Sequence, residues 1–65
     1  MVVLTWQARS NKNITLIKLA ELTGISKSAL NNIENEKVSP TLDELEAIAK
    51  ALDARITDLF DSEYK

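Results

Sequence analysis

The 65-residue sequence predicts an all-α fold of five short helices, and three observations indicate this class. Apolar residues recur three and four positions apart in several segments, which is the spacing of one helix face. Gly24 and Pro40, the only residues of their types, fall between these segments, where helices end and begin. Thr41 and Glu44 form a Thr-x-x-Glu capping box before the longest apolar stripe. Together these features predict helices separated by short turns.

Two helices are predicted in the first third of the chain. Helix 1 should run over residues 4–12, while the apolar residues 1–4 either begin that helix or run extended along a neighbour. Asn13 follows, and asparagine is the best residue after glycine for a left-handed helix end. Helix 2 should cover about residues 16–23, with Thr15 as its N-cap.

The start of helix 2 offers unpaired backbone N–H groups. Its third position is Lys18 instead of the Glu of a capping box, so no side chain neutralises the positive end of the helix dipole. Such a helix end can bind a phosphate. The alternative is a helix end that only water contacts.

Residues 16–35 have the spacing of two helices packed across a tight turn. Ala20 is a small residue where two helices must come close, and Gly24, four positions later, can adopt the positive φ that the turn requires. Leu30 and Ile33 then follow as the apolar face of the second helix. This arrangement is the skeleton of a helix-turn-helix.

Helix 3 should run over residues 27–35, with Ser26 capping its start. Four polar residues lie off its apolar face and point outward: Lys27, Ser28, Asn31 and Asn32. Lysine can donate to guanine O6 and N7, and asparagine can pair with adenine N6 and N7. Ordinary solvated surface is the alternative, but two adjacent asparagines favour a functional reason, because asparagine is a poor helix former.

Helix 4 should follow the capping box with a stripe of apolar residues facing the core: Leu42, Leu45, Ile48, Ala49 and Leu52. Asp53 falls at its end, where the left-handed conformation is somewhat strained for an aspartate. Thr57 is the predicted N-cap of a short helix 5, whose Leu59 and Phe60 close the core.

Composition limits the chemistry open to this chain. It has no Cys and no His, so the usual zinc ligands and the commonest general base are missing. With no Gly-rich phosphate loop either, we expect no enzyme, cofactor, metal or small-molecule substrate. No apolar run approaches the ~20 residues of a membrane span. We expect a single cytoplasmic domain over residues 1–65, ending in a polar tail at 61–65.

The net charge of −2 is unevenly distributed along the chain. Residues 1–37 carry a balance of +2, whereas residues 38–65 carry −4. This asymmetry fits a protein with one face for an anionic partner and an acidic far side. The basic excess is small, so charge alone does not identify the partner.

Residues 16–35 resemble the helix-turn-helix of the phage Cro and lambda-repressor-like family, the XRE-type regulators. The resemblance continues through IENEKVSPTLDELEAIAKALDARITDLF and covers roughly residues 4–60. It implies a five-helix lambda-repressor-like domain that binds double-stranded DNA, with the recognition helix, 27–35, in the major groove. Such compact proteins are bacterial or phage-encoded.

The resemblance also implies which residues contact DNA. Lys27, Ser28 and Asn32 match the base-contacting positions of the family, and Asn31 is a neighbour that reaches base or backbone. The expected phosphate contacts lie at the starts of helices 2 and 3 and in the loop after helix 3: Thr15, Leu16, Ser26, Asn35, Lys37 and Ser39.

Two departures from the family concern these contacts. Leu16 stands where the family commonly has a polar Gln, so only a backbone phosphate contact remains there. After the recognition helix the family usually has a Gly, whereas this chain has Asn35 and Glu36. We expect Asn35 to take the left-handed conformation, with Lys37 offsetting the charge of Glu36.

The family also places an ion pair between helix 1 and the recognition helix, at the positions of Arg9 and Glu34. An unremarkable surface pair is the alternative. Ala8 is smaller than the aliphatic residue usual in the family, and we expect Trp6 to fill the missing volume. The alternative is a partly exposed Trp6 at a dimer contact.

The expected function is therefore that of a sequence-specific transcriptional regulator, a repressor acting by promoter occlusion as a homodimer. The C-terminal helix and tail are the expected dimer surface, with residues 1–4 second. The alternative is a protein-interaction module of the same fold, an antitoxin or anti-repressor with weak or no DNA binding. The acidic net charge, Leu16 and Glu36 favour that alternative.

Overall fold

The computed structural model describes all residues of the chain, 1–65. Its elements are, in order, β1 (Val2–Val3), α1 (Thr5–Asn11), α2 (Leu16–Thr23), α3 (Lys27–Glu34), α4 (Leu42–Leu52), a 3₁₀ helix (Ile56–Leu59) and β2 (Phe60–Asp61). The helical fold class is confirmed, with four α-helices. No helix is long and apolar enough to cross a membrane.

The expected fifth α-helix is replaced by the 3₁₀ helix and β2. The 3₁₀ helix starts one residue before Thr57, and Arg55 occupies its N-cap position, where Arg55 N–H donates to Asp58 Oδ2 at 3.0 Å. Phe60 then has an extended backbone, with φ of −152°, because it pairs with β1. The chain therefore leaves the helical conformation after one turn, and Asp61, the first residue of the expected polar tail, lies in a strand.

Side-chain caps fix the starts of three helices. Thr15 and Ser26 accept the backbone N–H bonds that begin α2 and α3, each at 3.1 Å. At α4, Thr41 Oγ1 accepts from Glu44 N–H, and Thr41 N–H donates to Glu44 Oε1, which completes the predicted capping box. These three N-caps are confirmed.

Three of the four α-helices are followed by a residue other than glycine in the left-handed conformation. Asn13, Glu36 and Asp53 have φ of 57°, 58° and 51°. Only α2 is followed by a glycine, Gly24, at 74°. The left-handed conformations expected at Asn13 and Asp53 are confirmed. Each non-glycine residue holds a conformation in which its Cβ crowds the following carbonyl oxygen.

The expectation for Asn35 is wrong, since Asn35 has φ of −89° and Glu36 is the left-handed residue. Asn35 remains the last residue bonded in helical fashion, with its N–H donating to Asn31 O at 3.0 Å. Lys37 N–H then donates to Asn32 O at 2.9 Å, so that α3 ends in a Schellman motif. Its left-handed residue is Glu36, one position later than predicted.

The helices pack around one apolar core, to which α2, α3, α4 and the 3₁₀ helix all contribute. Its buried residues are Leu19, Leu30, Leu45, Ile48, Ala49, Leu52 and Leu59. Fully burying a large aliphatic side chain stabilises a fold by about 1.5–3 kcal/mol. The core therefore anchors the inner faces of α2 and α3 and leaves their outer faces free.

Two residues expected in the core lie on the surface. Leu42 is 76% exposed, because it is in the first turn of α4 and the buried stripe begins only at Leu45. Trp6 is 54% exposed. Its neighbour Thr5 is the buried residue of α1, and one step along a helix rotates the side chain by about 100°, which turns Trp6 outward.

The two ends of the described chain meet in the small antiparallel sheet. Val2 pairs with Asp61 and Val3 with Phe60, and Leu4 N–H donates to Leu59 O at 2.8 Å. Of the two alternatives for residues 1–4, the extended one is confirmed at Val2 and Val3, and Leu4 is the N-cap of α1.

Thr5→Val is expected to raise the free energy of unfolding by about 1 kcal/mol. Thr5 is 1% exposed, and its Oγ1 has no hydrogen-bond partner. The substitution replaces an unsatisfied hydroxyl with a methyl group of similar shape. Urea-induced unfolding followed by circular dichroism measures the change. Thr5→Ser, which keeps the hydroxyl and loses the methyl, is the control and should be destabilising; a destabilised Thr5→Val would mean that the hydroxyl does find a partner.

Candidate nucleic-acid interface

A short turn between α2 and α3 sets the relative orientation of the two helices. Gly24 N–H donates to Ala20 O at 3.0 Å. Thr23 Oγ1 donates to Leu19 O at 2.8 Å and accepts from Ile25 N–H at 3.1 Å. A Cβ added at Gly24 would meet no atom within 4 Å, so the turn needs glycine for its backbone angle and not for space. Backbone and side-chain bonds together fix the helix-turn-helix.

α3 turns one face to the core and the other to solvent. Leu30 and Ile33 are each 1% exposed. The four residues predicted to contact bases lie together on the same helix: Lys27, Ser28, Asn31 and Asn32. Three of them are exposed, and Asn32 is half-buried. The structure thus provides a short helix that Leu30 and Ile33 anchor in the protein and whose solvent-facing side chains can form hydrogen bonds.

A hydrogen bond links two of the candidate contact residues across one turn. Asn35 Nδ2 donates to Asn31 Oδ1 at 3.2 Å. Asn31 therefore keeps only part of its hydrogen-bonding capacity for another partner, whereas the side chain of Asn32 makes no hydrogen bond within the protein. Of the two asparagines, Asn32 is the better candidate for bidentate pairing with a base.

The starts of α2 and α3 combine backbone donors with a hydroxyl group. The hydroxyls of Thr15 and Ser26 accept helix N–H bonds, which leaves their own O–H groups free to donate. Leu16 is half-buried and packs against the core, so it contributes only its backbone N–H. Both helix starts therefore present donors of the kind that bind phosphate oxygens.

The loop after α3 carries the remaining candidates, Lys37 and Ser39, both exposed. Lys37 N–H donates to Asn32 O at 2.9 Å, which places this lysine at the end of α3. The Lys37 ammonium has no carboxylate within salt-bridge distance. By contrast Lys18 pairs with Glu21 at 3.8 Å on the exposed surface of α2.

Arg9 and Glu34 form a two-bond ion pair between α1 and α3. Arg9 Nε lies 2.7 Å from Glu34 Oε2, and Arg9 Nη2 lies 3.1 Å from Glu34 Oε1. Arg9 Nη1 also donates to Ile14 O at 2.9 Å. The side chains are only 14% and 7% exposed, and the hydrogen bond to Glu34 raises the pKa of Arg9 above its ordinary value. This pair fixes α3 against both α1 and the segment that leads into α2.

One contact near this surface is absent from the sequence-based prediction. Val3 N–H donates to Glu36 Oε1 at 2.8 Å, which joins β1 to the loop after α3. The two residues are 33 positions apart and belong to no motif. The only signal in the sequence is Glu36 itself, an acidic residue close to where the resembling family has glycine.

Comparisons with known proteins agree with this architecture. The sequence model of the family described as "Helix-turn-helix" (HTH_3) matches residues 7–59, so the chain belongs to that family and the resemblance to XRE-type regulators is confirmed. The chain is 34% identical over 55 residues to the immunity repressor protein of Bacillus phage phi105 and 35% identical over 60 residues to the transcriptional regulator SinR of Bacillus subtilis (strain 168).

These alignments cover most of this chain but only part of each relative. They include 85% and 91% of this chain, against 38% of the phage repressor and 54% of SinR. The solved N-terminal DNA-binding domain of SinR superimposes with a TM-score of 0.80 at 32% identity, covering 94% of this chain and 90% of that domain. The similarity is therefore to one domain of a longer regulator.

Proposed function

We propose that this chain binds double-stranded DNA sequence-specifically and regulates transcription. One observation carries the proposal: α3, held by Leu30, Ile33 and the Arg9–Glu34 pair, presents accessible hydrogen-bonding side chains within a family-matched helix-turn-helix. An α-helix fits the major groove, where Lys27 and Asn32 have the donors and acceptors to read base edges. Ser28 and Asn31 would add contacts at the same helix face.

Phosphate contacts would position α3 on the duplex. The start of α2 would contribute the Thr15 hydroxyl and the Leu16 N–H. The start of α3 would contribute the Ser26 hydroxyl. The C-terminal end of α3 and the loop after it would contribute three more phosphate contacts, from Asn35, Lys37 and Ser39. The first two segments adjoin the core through Leu16 and Ile25, and the loop after α3 is bonded to the end of that helix through Lys37 N–H and Asn32 O.

A homodimer acting as a repressor is the form of regulation that we propose. A single small module buries little DNA surface, whereas two copies on half-sites one helical turn apart gain affinity and specificity. Residues 1–65 would act as one helix-turn-helix domain, and occupancy of a promoter by the dimer would exclude polymerase. The relative named immunity repressor protein supports the repressor assignment.

Selection from a randomised duplex library tests base readout directly. Wild type should enrich one palindromic sequence, and Asn32→Ala should lose or relax the preference at the base pair that Asn32 contacts, at a cost of about 1–3 kcal/mol. Asn11→Ala is the matched control, because Asn11 is exposed at the end of α1, on a surface that it shares with Ala54 and Asp58. Absence of an enriched sequence, or an unchanged preference in Asn32→Ala, would contradict the proposed readout.

The second candidate function is a protein-interaction module of the same fold. The features that favour it are the net charge of −2, the apolar Leu16 and the acidic Glu36. The salt dependence of binding discriminates the two: DNA affinity falls steeply with salt in proportion to the phosphates contacted. A protein partner held by apolar contacts would show little such dependence.

A further inference from the structure

Glu36 occupies a position that is unfavourable for it in three respects. Its φ of 58° is a left-handed conformation, which a residue with a Cβ adopts at a cost. It follows the C-terminal end of α3, where the helix dipole favours positive charge. It also places a carboxylate next to Lys37, the loop's candidate phosphate contact, where it would repel a phosphate. A residue with these costs requires a compensating contact.

The contact is the hydrogen bond from Val3 N–H to Glu36 Oε1, at 2.8 Å. Leu4 N–H points into the sheet and donates to Leu59 O. Because N–H directions alternate along a strand, Val3 N–H faces away from β2 and would otherwise be an unpaired edge donor. The ionised acceptor makes this a charge-assisted bond, of a stronger class than one between neutral groups.

We propose that Glu36 is a positioning residue of the DNA interface, which fastens the loop after α3 to β1 and so holds Lys37 and Ser39 in place. The inference rests on the proposed function. The same hydrogen bond holds the Glu36 carboxylate against the edge of β1. β1 pairs with β2, so the end of the recognition helix is tied to the sheet that joins both ends of the described chain.

Glu36→Gln and Glu36→Ala form a charge-matched pair that isolates the hydrogen bond. Both remove the negative charge and both keep a Cβ in the left-handed position, but only glutamine retains an acceptor for Val3 N–H. The probe is a random-sequence duplex of about 20 base pairs at low salt, because its binding reports phosphate contacts and not base readout.

Glu36→Gln should bind this duplex at least as tightly as wild type, and Glu36→Ala should bind about three- to tenfold more weakly than Glu36→Gln. The amide proton resonance of Val3 should stay downfield in Glu36→Gln and move upfield in Glu36→Ala. Equal affinities of the two variants for the duplex would overturn the positioning role. Thermal unfolding of each variant confirms that binding is compared between folded proteins.

Val3→Pro tests the same contact from the other side. It removes the donor without removing a hydrogen bond between β1 and β2, since Val3 N–H faces outward. It should weaken duplex binding when Glu36 is present and have no effect in Glu36→Ala. An equal loss in both backgrounds would indicate damage to the strand and would overturn the proposal.

The failure of the proposed function gives a different pattern from the failure of this inference. If wild type does not bind the duplex at low salt, DNA binding is wrong and the positioning role falls with it, while the Val3 resonance still reports the contact. If wild type binds and the charge-matched variants bind equally, DNA binding stands and only the role of Glu36 is lost.

Discussion

Arg9→Met is expected to lower the free energy of unfolding by about 3 kcal/mol. The Glu34 side chain is 7% exposed, and both of its short ion-pair contacts, at 2.7 and 3.1 Å, come from Arg9. Without Arg9 the carboxylate stays largely buried with no opposite charge, and Ile14 O loses the donor that it has from Arg9 Nη1. Urea-induced unfolding followed by circular dichroism measures the loss.

Two further variants separate the ion pair from ordinary surface charge. Lys18→Met breaks the exposed pair with Glu21 and should change stability by less than about 1 kcal/mol. The double variant Arg9→Met, Glu34→Leu should be more stable than Arg9→Met alone, because no unpaired charge remains. If the double variant were the less stable of the two, the loss in Arg9→Met would come from packing and not from charge.

Leu30→Ala is expected to cost about 3 kcal/mol of stability. Leu30 is 1% exposed in the core cluster, where α3 meets α2 and α4, so the shortened side chain leaves a cavity that the surrounding helices fill only in part. A domain of this size is marginally stable, so this one substitution should populate unfolded protein at 37 °C.

Leu42→Ala is the matched control for Leu30→Ala. The same atoms are removed at a site that is 76% exposed, so the change in unfolding free energy should stay within about 0.5 kcal/mol. Both are measured by urea-induced unfolding. A large cost at Leu42 would show that another molecule covers this residue in solution. The cost in unfolding free energy would then depend on protein concentration.

The sequence predicted the helix-turn-helix in detail because its signals are local. Gly24 and the capping residues Thr15, Ser26 and Thr41 each act through neighbours within four positions, so their residue types alone indicate the geometry. The end of α3 is local too, but glutamate is rare in the left-handed conformation, so residue type alone indicates Asn35 and not Glu36.

What the sequence did not predict depends on contacts between distant segments. The faces of Trp6 and Leu42 follow from which elements pack beside α1 and α4, and apolar character alone does not reveal that. The sheet consists of two-residue strands, too short to show an alternating pattern. The bond between Val3 and Glu36 exists only because that sheet brings β1 beside the end of α3.

The order in which parts of the fold open follows from the pairing of β1 with β2. The contact between α2 and α3 closes a short loop, whereas the pairing of Val2 with Asp61 closes a loop of nearly the whole chain. Closing so long a loop is slow in folding, and a two-residue pairing opens readily afterwards. We expect local opening of the sheet to release Val3 from Glu36 while the helices of the core stay packed. We therefore expect the loop after α3 to lose its contact with β1 before α3 itself unfolds.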